Sequence, residues 1–114
     1  MRALLTVAET PEYLHRAERL LSIAERADVV ERLAADPAAG DLIRGTGGVR
    51  KLRWARGGRG KSGGVRVIYY FHSEAMPLYL LTVFGKNEKA DLSGTERNEL
   101  AALVRFLKTG VQTK

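Results

Sequence analysis

Residues 49–84 read "VRKLRWARGGRGKSGGVRVIYYFHSEAMPLYLLTVF", and three segments of this stretch decide the fold. Val49–Ala55 ("VRKLRWA") alternates, which places Arg50, Leu52 and Trp54 on one face of a strand and Lys51 and Arg53 on the other. Val65–His72 ("VRVIYYFH") is rich in β-branched and aromatic residues, the composition that suits a pleated, half-buried surface. Leu78–Phe84 ("LYLLTVF") is almost wholly apolar, as expected of a central strand covered on both sides. The links between the three contain Gly, or Ser and Pro, and are short enough for an antiparallel meander.

The first link, Gly57–Arg66 ("GGRGKSGGVR"), carries Gly60-Lys61-Ser62 and invites comparison with a nucleotide-phosphate loop. Such a loop needs G-x-x-x-x-G-K-[ST] between a strand and a helix, so that backbone N–H groups and a helix N-terminus surround the phosphates. Here Ala55 stands where the first Gly belongs, and the residues after Ser62 have a strand pattern. Both spacing and context fail. A mobile cationic link beside two basic strands suits the backbone of a nucleic acid instead.

Working outward, Ala3–Ala8 ("ALLTVA") predicts a short buried strand. Thr10 is placed to cap a helix that has Pro11 at its first position, where a missing N–H does no harm. Tyr13, Ala17, Leu20 and Leu21 follow helical spacing. Ser22 and Glu25 form a capping-box pattern opening a second helix, with Ala27, Val30 and Leu33 on one side and Asp36-Pro37 at its end. "DPAAGDLIRGTGG" predicts a loop. After the strands, Ser93 and Glu96 make a second capping box; Leu100, Leu103, Val104 and Leu107 form an apolar stripe, and Gly110 is placed to stop the helix. The order β-α-α-β-β-β-α predicts an α+β fold, a small antiparallel sheet with two N-terminal helices and one C-terminal helix, in a single domain over residues 1–114.

Charge is unevenly spread. Between Asp41 and Glu74 there is no acidic residue, while Arg44, Arg50, Lys51, Arg53, Arg56, Arg59, Lys61 and Arg66 give eight cations. The rest of the chain holds eleven cations against thirteen acids, so the whole excess behind the net charge of +6 lies in this window. A block of this kind is a footprint for a polyanion. The absence of cysteine excludes disulfides and thiolate metal sites. The N-terminal apolar run is too short for a membrane span and has no signal-peptide pattern, so a cytoplasmic protein without membrane contact is expected.

The segments "GTGGVRKLRWARGGRGKSGGVRVIYYF" and "LLTVFGKNEKADLSGTERNEL" resemble the RelE/ParE superfamily of toxins, and specifically its HigB-like branch. The resemblance covers most of the chain. It implies a small curved sheet with helices on one side. It also implies the toxin of a type II toxin–antitoxin pair: a ribosome-dependent mRNA endoribonuclease that needs neither metal nor cofactor and is held by a cognate antitoxin, usually of helix-turn-helix type. The ParE branch of the same fold instead inhibits DNA gyrase without cutting RNA, so fold alone leaves both activities open.

Metal-independent RNA cleavage sets three tasks. A base takes the 2′-hydroxyl proton, cations hold the pentavalent phosphate, and an acid protonates the leaving 5′-oxygen. The resemblance assigns Arg66 to the phosphate-binding arginine and matches Lys51 and Arg53 to the basic pair of the preceding strand. Lys51 is the candidate base, because Arg does not lose its proton at ordinary pH. RelE-like toxins have an arginine where Asn87 stands and a tyrosine near Ser93. Neither is present here, which leaves Lys86 and Lys89 in "GKNEK" as candidate acids. His72 falls on the Arg66 face by alternation and is a further acid–base candidate. Arg50, Arg53, Arg56, Arg59 and Lys61 are expected to bind RNA, and Tyr70 to stack on a base.

Overall fold

The computed structural model describes residues 5–55 and 64–112. In order, the elements are β1 (Val7–Glu9), α1 (Pro11–Leu20), α2 (Ile23–Ala35), β2 (Asp41–Leu42), β3 (Val49–Trp54), β4 (Val65–Tyr70), β5 (Leu78–Gly85) and α3 (Gly94–Gln112). This is an α+β fold, as expected. The five strands form one open sheet in the order β1-β5-β4-β3-β2.

The meander β3-β4-β5 is antiparallel, but β1 joins β5 in parallel, with Val7 opposite Leu78 and Glu9 opposite Leu80. The sheet is therefore mixed rather than antiparallel throughout. Hairpin links dictate the direction of sequence neighbours; β1 and β5 are far apart in sequence, and no turn sets their direction. β1 also starts later than expected, at Val7. The two-residue strand Asp41–Leu42 pairs with β3 inside the segment expected to be a loop.

The helix starts follow the capping chemistry. Thr10 accepts from the Tyr13 N–H at 3.3 Å, and its hydroxyl donates to Leu80 O at 2.8 Å, tying the start of α1 to the sheet. The reciprocal Ser22–Glu25 box opens α2, and Ser93 with Glu96 makes the same pair of bonds at the start of α3. Gly110 does not end α3, which continues to Gln112. A glycine in helical conformation costs only about 1 kcal/mol against alanine, so it stops a helix only when a left-handed cap forms.

Helices cover both faces of the sheet, not one. On the first face Tyr13 and Ala17 of α1 and Val29 and Leu33 of α2 pack on Leu52, Val65, Val67, Tyr69, Leu78, Leu80 and Val83. On the second, Val104 of α3 and Leu92 pack with Val49, Ile68, Tyr70, Leu81 and Phe84. Burying a side chain such as Val104 contributes about 1.5–3 kcal/mol. A register shift between Ile68 and Tyr69 lets β5 place Leu80 in the first core and Leu81 in the second. The stripe on α3 is narrower than expected: Leu100 and Leu107 pack beside Val104, while Leu103 is 37% exposed.

Candidate nucleic-acid interface

Cross-strand register determines which cations meet. Lys51 and Arg53 of β3 stand opposite Ile68 and Arg66 of β4, and Arg66 stands opposite Phe84 of β5. Opposed residues of an antiparallel pair share a face, so Lys51, Arg53 and Arg66 lie together on the α3 side. Lys89 joins them: its Nζ is 4.9 Å from the centre of the Phe84 ring and is ion-paired with Glu96 of α3. Lys86 begins the turn after β5. Its N–H donates to Gly64 O at 3.0 Å, which puts its exposed side chain at the same end of the sheet.

A cleft of about 380 Å³ opens between β2, β3 and the segment entering α3. Arg44, Lys51, Arg53 and Arg97 line it together with Asp41 and Asp91, four cations against two carboxylates. Asp91 Oδ1 accepts from the Leu92 N–H at 2.8 Å and from Lys51 Nζ at 3.2 Å. These bonds, the Leu92 N–H first, hold its carboxyl below the usual value of 3.8. The Lys89 ammonium, followed by the Ser93 N–H, does the same for Glu96.

Arg53 and Arg66 differ from Lys51 and Lys89. The ion pairs among the described residues are Arg16 with Glu12 and Glu88, Lys51 with Asp91, and Lys89 with Glu96. None involves Arg53 or Arg66. Two arginines directly opposite each other on adjacent strands repel, at a cost within roughly 0.2–1 kcal/mol. An anion between them would remove that repulsion, and the planar guanidinium fork matches phosphate oxygens in pairs.

Other sequence-derived candidates lie elsewhere. Arg50 occupies the opposite face, where Nη1 donates to Gly40 O at 2.7 Å and Ala38 O at 3.3 Å; it fixes the loop before β2 and is not part of the basic face. Tyr70 is 1% exposed within the second core, so its ring is closed to a stacking base. A strand tyrosine beneath a helix packs before it recognises. His72 follows the end of β4 and stacks on Tyr70 at 6.4 Å between ring centroids. Six residues of extended chain separate it from Arg66, on the order of 20 Å, so the two do not serve one phosphate. Arg56, Arg59 and Lys61 lie outside the described residues. Lys51, the candidate base, is ion-paired with the Asp91 carboxylate at 3.2 Å. Asp91 and Arg97, absent from the sequence-derived site, reach the cleft from the segment before α3 and from α3 itself.

The model of the family described as "RelE toxin of RelE / RelB toxin-antitoxin system" matches residues 12–113. The chain belongs to the RelE toxin family. Its fold is similar to that of Escherichia coli toxin RelE, solved in the free state as a double mutant. The TM-score is 0.57 at 15% identity, over 77% of this chain and 90% of the other. Membership makes it a toxin of a toxin–antitoxin system, with an antitoxin as its partner. No helix among the described residues is long and apolar enough to cross a membrane.

Proposed function

We propose that this RelE-family toxin is a ribosome-dependent mRNA endoribonuclease of the HigB-like branch, working without a metal or cofactor and countered by an antitoxin of helix-turn-helix type. The observation that carries the proposal is the opposed Arg53–Arg66 pair, which no carboxylate among the described residues neutralises. Family membership and the cationic cleft beside the pair support the same reading.

In this mechanism Arg66 and Arg53 hold the scissile phosphate, and Lys51 faces the ribose from the next position along the same face of β3. The 2′-hydroxyl loses its proton to a base, for which Lys51 is the candidate. The 2′-oxygen then bonds to phosphorus, the bond from phosphorus to the 5′-oxygen breaks, and that oxygen takes a proton. Lys86 or Lys89, at the β5 end of the face, delivers it. The products are a 2′,3′-cyclic phosphate and a 5′-hydroxyl. Positioning by the ribosome supplies part of the rate, which lowers the demand on strong general acids.

The test is a translation reaction programmed with a defined mRNA, with 5′ ends mapped by primer extension in the presence and absence of ribosomes. New ends that require ribosomes support the proposal. Unimpaired translation without new ends refutes it and brings gyrase inhibition forward.

A further inference from the structure

A carboxylate in a cleft for a polyanion needs a reason, because it repels every phosphate that enters. Asp91 is such a group, set among Arg44, Lys51, Arg53 and Arg97. It is also held in place: the Leu92 N–H and Lys51 Nζ both bond to Oδ1, at 2.8 and 3.2 Å, and Oδ2 takes neither contact. Asp41, the other carboxylate of the cleft, stands opposite Lys51 on the two-residue edge strand β2 and forms no ion pair among the described residues.

An ionised carboxylate only accepts hydrogen bonds. Single-stranded nucleic acid offers donors on base edges and, in RNA alone, on the 2′-hydroxyl. Base edges vary from nucleotide to nucleotide, whereas the 2′-hydroxyl lies at a constant distance from the phosphate that the arginines would hold. We infer that Asp91 is a specificity-determining residue that recognises ribose, accepting a hydrogen bond from the 2′-hydroxyl of the nucleotide bound between Lys51 and the Arg53–Arg66 pair until Lys51 takes that proton. The inference rests on the RNA-binding reading of this face. It explains why a carboxylate stands among cations: affinity for phosphate is given up in exchange for selection of RNA over DNA. The bonds that hold Oδ1 also keep the group ionised, and so accepting, through the neutral pH range.

The experiment measures binding of a short single-stranded RNA and of its 2′-deoxy counterpart, by fluorescence anisotropy at low salt, for the wild-type chain, Asp91→Ala and Asp91→Asn. Wild type should prefer RNA. Asp91→Ala should cut that preference about tenfold, as expected for loss of one bond to a charged acceptor, while DNA binding holds or tightens. Asp91→Asn keeps an acceptor oxygen at the same place and should restore most of the preference. Thermal melts confirm that the variants are folded, and Asp91→Asn retains an acceptor for the Leu92 N–H.

If Asp91→Ala tightens RNA and DNA equally, Asp91 is only a competing anion and the inference is overturned. A wild-type chain without RNA preference overturns it as well. In either case the translation assay separates the two ideas. Ribosome-dependent cleavage by wild type leaves the endoribonuclease reading standing, whereas its absence removes both.

Discussion

Arg66→Gln should raise stability slightly and abolish cleavage. Glutamine keeps part of the side-chain stem while removing the charge. Side chains directly opposite in an antiparallel pair sit roughly 5 Å apart at Cβ, and Arg66 faces Arg53 in this way. If the two guanidinium groups keep the spacing of their Cβ atoms, their unit charges repel by about 0.8 kcal/mol in water. At physiological ionic strength, where the Debye length is about 8 Å, screening reduces this to about 0.4 kcal/mol. For a chain of this size the gain corresponds to a rise in Tm of about 2 °C. The lost bond to Val65 O, 3.4 Å long and partly exposed, offsets little. Thermal unfolding followed across a salt titration is the assay, with primer extension on the same samples. The gain should shrink as salt rises, and Arg53→Gln should give a gain of the same sign. A loss of 1 kcal/mol or more would refute the reasoning, because Arg66 would then be holding the fold together rather than waiting for an anion. Full cleavage by the folded variant would remove Arg66 from the active site.

Four other outcomes test the frame around the site. Tyr69→Phe should cost about 1–3 kcal/mol in urea unfolding, because its hydroxyl accepts from the buried Gly40 N–H and donates to Pro37 O, each at 2.8 Å. Tyr70→Phe should change stability by less than about 0.5 kcal/mol, since its hydroxyl has no partner among the described residues; equal losses in the two variants would contradict the bonding described. Gly48→Ala should cost about 1–3 kcal/mol, because φ is +126° there and the added Cβ would lie 3.0 Å from the Tyr70 ring; an unchanged melting temperature would mean that the β2–β3 link relaxes freely. Asp91 and Glu96 both have carboxyls held below their usual values of 3.8 and 4.5. Their contribution is therefore complete above those values and is lost as pH falls below them, where the folded-state groups finally protonate. Lys89→Met, which removes the leading cause of the Glu96 shift, should make the fall in urea midpoint between pH 7 and pH 3 shallower; an identical fall would show that the pair contributes nothing.

Much of the fold was legible because its signals are local. Thr10, Ser22 and Ser93 announce their helices through bonds within three residues, and the period of two in "VRKLRWA" separates Lys51 and Arg53 from Arg50 before any tertiary contact is known. What was not legible depends on distant partners. The parallel β1–β5 pairing joins segments some 70 residues apart. The placing of helices on both faces depends on how α3 returns, since an amphipathic stripe records that a face is buried but not which side of the sheet receives it. Tyr70 shows the same limit: alternation puts it on the Arg66 face, and only the arrival of Val104 above that face shows that this end of it is closed.

The candidate site follows the same division. The cation-rich window pointed to the right strands, yet eight like charges in sequence are not eight like charges in space. Arg50 crosses to the other face and bonds to carbonyls, Lys51 acquires Asp91 from a segment 40 residues away, and Lys89 acquires Glu96. After these pairings Arg53 and Arg66 stand directly opposite each other with no ion pair to either among the described residues. Net charge of a segment thus marks the region where a polyanion would lie, while charge without a partner marks the point where its phosphate would bind. The first can be counted along the chain. The second requires knowing which carboxylates return to the sheet, and here that depends on the eight residues between β5 and α3 and on the first turn of α3.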